Sequence, residues 1–358
     1  MTPTQTAKSR SKNIPLQAMI NTLTTEVIIK LLTPLPRVVI TIHRGPDGDA
    51  IGSGLGWMHI LANAGIEATV IAPDAYPSFL KWMPGNEKVL VYESQKEEAQ
   101  KAIDAADLIF CLDFNSPGRM GNLAEAITSA QKPIVVVDHH QQPDDFAQGY
   151  YTDDTASSTA EMIYRLSEAL QWEQHINHDA ALCLYTGIVT DTGSFRFSSV
   201  SPQLLRIAAS LIERGIDHTR IYREVYDSNT LERLKLQGFA LSEKLKVMPG
   251  GATAYISLNE SELKKYSFQK GDTEGLVNYA LSIKNVGLAG FFAEKDGMIK
   301  ISLRSKGSYN VNELARANFD GGGHINAAGG RSLESMEATL ARFEQIALEE
   351  STKISESI

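Results

Sequence analysis

The sequence predicts an α/β protein: a parallel sheet with helices on both faces, then a helical linker and a smaller α+β C-terminal domain. Three observations lead there. Apolar runs at Val38–Ile42, Leu108–Leu112 and Ile134–Val137 alternate with helical segments, the pattern of a parallel sheet buried on both faces. Each run stops in a potential metal ligand: His43 with Asp47 and Asp49, then Asp113, then Asp138-His139-His140. Beyond Pro249-Gly250-Gly251 the pattern changes to paired strands and short helices.

The first run has the β-branched content of a strand. Asp47 and Asp49 are two apart, so an extended backbone would splay them; Gly48 permits a tight turn that aims both inward. A helix is expected over Gly54–Ala64, closed by Gly65 at the C′ position. Ala68–Ala72 reads as a second strand, and a connection rich in proline and aromatics runs to Gly85. A polar helix near Gln95–Asp104 leads into the second apolar run, and a loop and helix holding Gly118 and Gly121 lead into the third. From Ser157 to about Glu243 the pattern is helical. Ser158-Thr-Ala-Glu161 has the form of a capping box opening a helix to Leu170. Ala180–Val189 is apolar on most faces, a buried helix that ends in Thr190-Asp191. Helices near Pro202–Gly215 and Thr230–Leu245 serve as connectors.

Past the Pro249 turn come a strand at Thr253–Leu258, a helix near Thr273–Ser282, and strands at Gly287–Ala293 and Met298–Arg304. The Asp296-Gly297 step between the last two is a hairpin signal. Asp320–Gly330 is a glycine-rich loop containing Gly321, Gly322, Gly323 and His324, and a closing helix runs to about Glu349. The expected division is a disordered tail over 1–15, a metal-binding domain over 16–225, a helical linker over 226–247 and the second domain over 248–349.

Hydrophobic residues make up 43% and charged residues 22%, ordinary for a globular protein, and no apolar run approaches the length of a membrane helix. The first residues lack the apolar core of a signal peptide, and the two cysteines, Cys111 and Cys183, read as buried thiols. A cytoplasmic location is therefore expected. A net charge of -9 argues against a broad basic surface for long duplex DNA, while a bound metal would still admit a small phosphorylated substrate.

Taken singly, each ligand candidate is ordinary: an aspartate after a strand is often a helix N-cap, and adjacent histidines occur in loops. Three strands ending this way point to one shared site, since ligands bind beyond the carboxyl ends of parallel strands. Aspartates and histidines in this mixture suit Mn²⁺, Mg²⁺ or Co²⁺ better than a thiolate-type zinc site. Six or more ligands exceed the needs of one catalytic ion, so two divalent ions are expected. Ser158 reads as a cap rather than a nucleophile. Arg119 reads as a surface residue, and His59, His175, His178 and His218 as surface or packing histidines.

The set His43, Asp47, Asp49, Asp113, Asp138-His139-His140 and Asp191 resembles the DHH phosphoesterase superfamily. Gly321-Gly-Gly-His324 with Ala327-Ala328-Gly329, preceded by Ser302-Leu303-Arg304-Ser305, resembles its associated C-terminal domain. Chain length and motif spacing are similar to the small nano-RNases, bifunctional oligoribonuclease and pAp phosphatases. The resemblance implies that His43, Asp47 and Asp113 hold one Mn²⁺, while Asp49, Asp113, His139 and Asp191 hold the other. It implies that His140 faces the scissile phosphate, that Asp138 orients the neighbouring imidazole, and that Arg304, His324 and the amides of Gly321, Gly322 and Gly323 grip the rest of the substrate. The implied activity is hydrolysis, by a two-metal-activated hydroxide, of short oligoribonucleotides and of 3′-phosphoadenosine 5′-phosphate (pAp). A cyclic- or linear-dinucleotide phosphodiesterase is the alternative within that chemistry, and a non-catalytic RNA- or nucleotide-binding module the alternative outside it. The resemblance is compatible with a homodimer, for which the sequence carries no interface signal. Asp320 departs from relatives that often have a further glycine there.

Overall fold

The structure, a computed structural model, describes residues 27–358; the expected tail over 1–15 lies outside them. By their contacts the described residues fall into two compact units. The first ends at His218, and the second comprises Thr219–Ile358 together with Tyr76–Trp82 and His140–Gln142.

The first unit holds strands β1 (Val38–Ile42), β2 (Ala68–Ala72), β3 (Leu90–Val91), β4 (Leu108–Leu112), β5 (Ile134–Asp138) and β6 (Gly149–Thr152). They pair in the order β3-β2-β1-β4-β5-β6, all parallel. The three apolar runs are the neighbouring strands β1, β4 and β5, each buried along its whole length. The chain winds outward in both directions from the β1–β4 pair, so the strand order reverses there. In open α/β sheets that reversal leaves a crevice beyond the strand ends, where ligands bind. His43 and Asp113 each follow the last residue of one of those two strands. Helices Lys96–Ala105 and Ala124–Ser129 contribute Ala99, Ile103, Ala126 and Ile127 to a core with Val39, Ile71, Ile109 and Val136.

Several boundaries differ from expectation. The helix expected over Gly54–Ala64 begins instead at Gly48, because Asp47 caps it. β3 and β6 were not foreseen; they are two and four residues long, and β6 (Gly-Tyr-Tyr-Thr) lacks an apolar run. The Ser158 hydroxyl does cap helix Thr159–Ala169, but the return bond from Glu161 goes to the Ser157 amide and hydroxyl, not to Ser158.

The second unit contains β7 (Leu245–Val247), β8 (Thr253–Leu258), β9 (Leu288–Lys295), β10 (Met298–Ser305), β11 (Gly322–His324) and β12 (Ala327–Ser332). Their order is β11-β12-β10-β9-β8-β7, antiparallel except for the parallel β8–β9 pair. Asp296 and Gly297 both take positive φ, as the two-residue turn between β9 and β10 requires. Phe343 of the closing helix Met336–Glu349 packs with Tyr255 and Phe292 on one face, and Leu276 and Ala280 pack with Ile256 and Phe291 on the other. The stretch read as a glycine loop is a hairpin, β11 and β12. Backbones approach so closely there that a Cβ on Gly321 or Gly323 would collide with the carbonyl of Gly329 or Ala327. The segment expected as a helical linker holds helix Leu231–Phe239, a π-turn at Ala240–Lys244 and strand β7. Among the described residues, no helix is long and apolar enough to cross a membrane.

Candidate metal centre

His43 follows β1, and its Nδ1 lies 3.0 Å from the Arg44 carbonyl, which leaves Nε2 for the site. Asp47 is the N-cap of helix Gly48–Asn63, its Oδ1 accepting from the amides of Asp49 and Ala50, each at 3.1 Å. That cap turns Asp49 into the first helical turn. Asp49 then accepts from the amides of Thr159 (2.6 Å) and Ala160 (2.9 Å), the first residues of helix Thr159–Ala169. A helix N-terminus offers unpaired N–H groups and a positive dipole end, so it holds a buried carboxylate. Asp113 takes a left-handed backbone, φ 67°, and Thr159 Oγ1 donates to its Oδ1 at 3.0 Å. His139 Nδ1 lies 3.2 Å from the Ala156 carbonyl, again leaving Nε2 for the site.

Asp191 is the last residue of helix His178–Asp191. This helix packs against Gly48–Asn63 along Gly48, Gly52 and Gly56, which lie one helical turn apart. A Cβ on Gly52 would meet the Cys183 carbonyl at 2.6 Å, and one on Gly48 or Gly56 would meet Thr190 or Leu184 as closely. The glycine stripe brings the two helices together and so carries Asp49 towards Asp191.

Six side chains from four stretches of chain converge. His43 Nε2 is 3.7 Å from Asp47 Oδ1 and 3.3 Å from Asp113 Oδ2. His139 Nε2 is 3.5 Å from Asp113 Oδ1, 3.4 Å from Asp191 Oδ2 and 3.8 Å from Asp49 Oδ2. Two triads result, His43-Asp47-Asp113 and Asp49-His139-Asp191, each with its ligand atoms within 4.8 Å of one another. Asp113 offers one oxygen to each. His43, Asp49, Asp113 and His139 are buried, whereas Asp47 and Asp191 reach solvent.

The electrostatics fit cations. Burial alone disfavours a charged His43, yet the carboxylates of Asp47 and Asp113 push its imidazole up to about 10. His139 is likewise driven well up by Asp113, Asp191 and Asp49 against the cost of burial. Burial, then the charges of Asp113 and Asp191, drive the Asp49 carboxyl well above the ordinary range. Asp47 is held low despite partial loss of hydration, chiefly by the charge of His43. Four carboxylates crowded into a largely buried pocket require compensating charge, and two divalent ions would match their four negative charges.

Asp138 ends β5 and is buried. His140 groups by its contacts with the second unit, where its ring stacks on His324 with centroids 4.3 Å apart. Arg304 and His324 are both register partners of Ala327, one on each side of it, so the three side chains share a face of the sheet. Asp320 has φ 42°, the conformation that a glycine would accept freely, and its carboxylate pairs with Arg331 at 2.6 Å. Sequence reasoning missed Thr159 and Ala160, the glycine stripe, and Asn312. The buried Asn312 Oδ1 accepts from the Gly323 amide at 2.9 Å and from Arg316 Nε at 3.2 Å. The glycine stripe was visible as a four-residue repeat; Thr159 was hidden inside the apparent capping box. Of the remaining histidines, His59 Nε2 lies 3.0 Å from the Pro84 carbonyl, His175 meets the Trp172 ring edge-on, His178 pairs with Asp179, and His218 is exposed.

Comparison with known proteins agrees with this architecture. The DHH family N-terminal domain matches residues 37–188 and the DHHA1 domain matches residues 252–349. A crystal structure of an exopolyphosphatase-related protein from Bacteroides fragilis superposes with a TM-score of 0.86 at 39% identity, covering 96% of this chain and 99% of that one. The bifunctional oligoribonuclease and PAP phosphatase NrnA of Bacillus subtilis (strain 168) is 28% identical over 90% of this chain and 98% of its own. The cyclic-di-AMP phosphodiesterase GdpP of the same organism is 29% identical over 88% of this chain, which spans 48% of GdpP. The chain therefore belongs to the DHH phosphoesterase family, joining a DHH domain to a DHHA1 domain.

Proposed function

We infer that this protein is a divalent-metal-dependent phosphoesterase that hydrolyses short oligoribonucleotides to mononucleotides and pAp to AMP. The observation that supports the reading is Asp113, whose two oxygens lie near the histidines of two separate histidine–carboxylate triads. His43, Asp47 and Asp113 would hold one ion, and Asp49, Asp113, His139 and Asp191 the other, with Mn²⁺ the first choice and Mg²⁺ or Co²⁺ the alternatives. Bound there, the ions would supply Lewis-acid charge for phosphoryl oxygens and a water acidic enough to ionise near neutral pH.

The chain's own groups do the rest. Asp49, braced by two backbone amides, and Asp113, braced by Thr159, hold the negative charge of the site in one geometry. His140 would donate a hydrogen bond to the phosphoryl group, stabilising charge that grows during the reaction. Arg304, His324 and the amides of Gly321 and Gly322 would bind the substrate's remaining phosphate or base, whereas the Gly323 amide, expected as a third donor, is already taken by Asn312 Oδ1. Two buried free thiols accord with a cytoplasmic location.

The likeness to NrnA over nearly its whole length favours short RNA and pAp. The likeness to GdpP favours a second reading, cleavage of a cyclic or linear dinucleotide. The test is product analysis after incubating Mn²⁺-loaded protein with labelled RNAs from dinucleotides upward, pAp, cyclic di-AMP and pApA. Mononucleotides from the shortest RNAs and AMP from pAp are expected. Fastest turnover of cyclic di-AMP would replace this reading with the second, and a stoichiometric RNA complex without product would replace both with a binding module.

A further inference from the structure

We propose that Thr159 is a positioning residue of the metal centre, its hydroxyl setting the rotation of the Asp113 carboxylate so that each oxygen serves one triad. This rests on the metal-centre reading above. Thr159 is completely buried, and its Oγ1 donates to Asp113 Oδ1, the oxygen nearer His139, while Oδ2 is left towards His43. The carboxylate turns about its Cβ–Cγ bond, and the hydroxyl adds a directional hydrogen bond that favours the rotation in which Oδ1 faces His139 and Oδ2 faces His43. The same residue's amide holds Asp49, so one residue fixes a carboxylate in each of the two triads.

Thr159 is itself locked. The Ser158 hydroxyl caps its helix by accepting from the Glu161 amide, and Glu161 Oε2 accepts from the Ser157 amide and hydroxyl, both at 2.8 Å. Arg165, one turn on, pairs with Asp153 at 2.8 Å on the far side of the loop. The carbonyl of Ala156 in that loop orients His139. A short segment, Asp153–Arg165, thus steers three ligands without being one, and Thr159 is its point of contact with the shared carboxylate. Partners behind metal ligands act on affinity as well as on rate.

The experiment titrates the metal-stripped full-length chain with Mn²⁺ by calorimetry, for wild type, Thr159→Val and Thr159→Ser, with melting temperature and the kcat and KM for pAp alongside. Valine keeps the shape and removes the hydroxyl; should that chain not fold, Thr159→Ala takes its place. Removing the hydroxyl is expected to weaken uptake of at least one of two ions about 10–100-fold and to lower kcat more than it raises KM, while serine restores affinity to within about threefold. Two ions bound with wild-type affinity by Thr159→Val, or a lowered melting temperature as its sole effect, would overturn the proposal. A wild-type chain that takes up no pair of ions would instead overturn the metal-centre reading beneath it.

Discussion

Gly52 and Gly187 meet backbone to backbone: a methyl group on Gly52 would stand 2.8 Å from the Gly187 nitrogen and 3.0 Å from its Cα. Gly187 is equally confined, since a Cβ there would lie 2.8 Å from Asp49 Oδ1. The helix pair can seat Asp49 near Asp191 because these positions have no side chains. Gly52→Ala should destabilise the protein by about 1–3 kcal/mol, the usual cost of forcing extra volume into a packed interface. It should also weaken metal uptake, because the helices part where the ligands sit. Urea denaturation and Mn²⁺ titration check the two effects separately; wild-type values in both would mean that the helix contact does not position the ligands.

Asp113 carries a second consequence in its backbone. Its φ of 67° is costly for most residues but is commonly adopted by asparagine. Asp113→Asn should therefore keep the fold while removing the charge that serves both triads, and Asp113→Ala should add backbone strain to the same loss. Both are expected to lose activity beyond the 10–100-fold typical of an outer partner. A folded Asp113→Asn enzyme working near the wild-type rate would rule out the shared-carboxylate arrangement.

Proton linkage gives an independent handle on the metal-free protein. The pKa of His43 is raised from 6.5 to about 10, so its contribution to stability is complete below pH 6.5 and is lost as pH rises through about 10. Asp49, also raised, pulls the same way. Metal-free protein should accordingly lose stability between those limits, and His43→Asn should flatten that part of the profile. Cations need the unprotonated ligands, so Mn²⁺ binding at neutral pH should release protons, seen calorimetrically as a heat that varies with buffer ionisation enthalpy. Binding without proton release would contradict the charge state described for His43 and His139.

Much of this was legible because buried parallel strands are continuous apolar runs, and the ligands follow them directly in sequence: His43 after β1, Asp113 after β4, His139 after β5. The ends of the first sheet were harder to read. β3 and β6 are short and only partly buried, so neither composition nor periodicity distinguished them from loop. The start of helix Gly48–Asn63 is hard to read because Asp47 has the chemistry of a ligand and also caps the helix. Thr159 was invisible for a different reason: its contacts with Asp49 and Asp113 join residues 110 and 46 positions apart in sequence. The glycines at 321 and 323 could be read as conformational freedom, which Gly323 does use at φ 155°, but both also have a steric role, admitting a neighbouring strand.

That hairpin supplies the last prediction. Asn312 is 2% exposed, and its carbonyl oxygen accepts from the Gly323 amide next to His324 and from Arg316. Asn312→Leu would fill similar volume but leave the Gly323 amide without this acceptor, at a cost of about 1–3 kcal/mol for a buried group. Asn312→Asp keeps an acceptor oxygen and should cost less. Because the hairpin carries a proposed substrate ligand and none of the residues proposed to hold the two ions, the leucine variant should raise KM for pAp while Mn²⁺ affinity stays at the wild-type value. A variant that lost metal affinity but kept KM would move His324 and its glycines out of the substrate site.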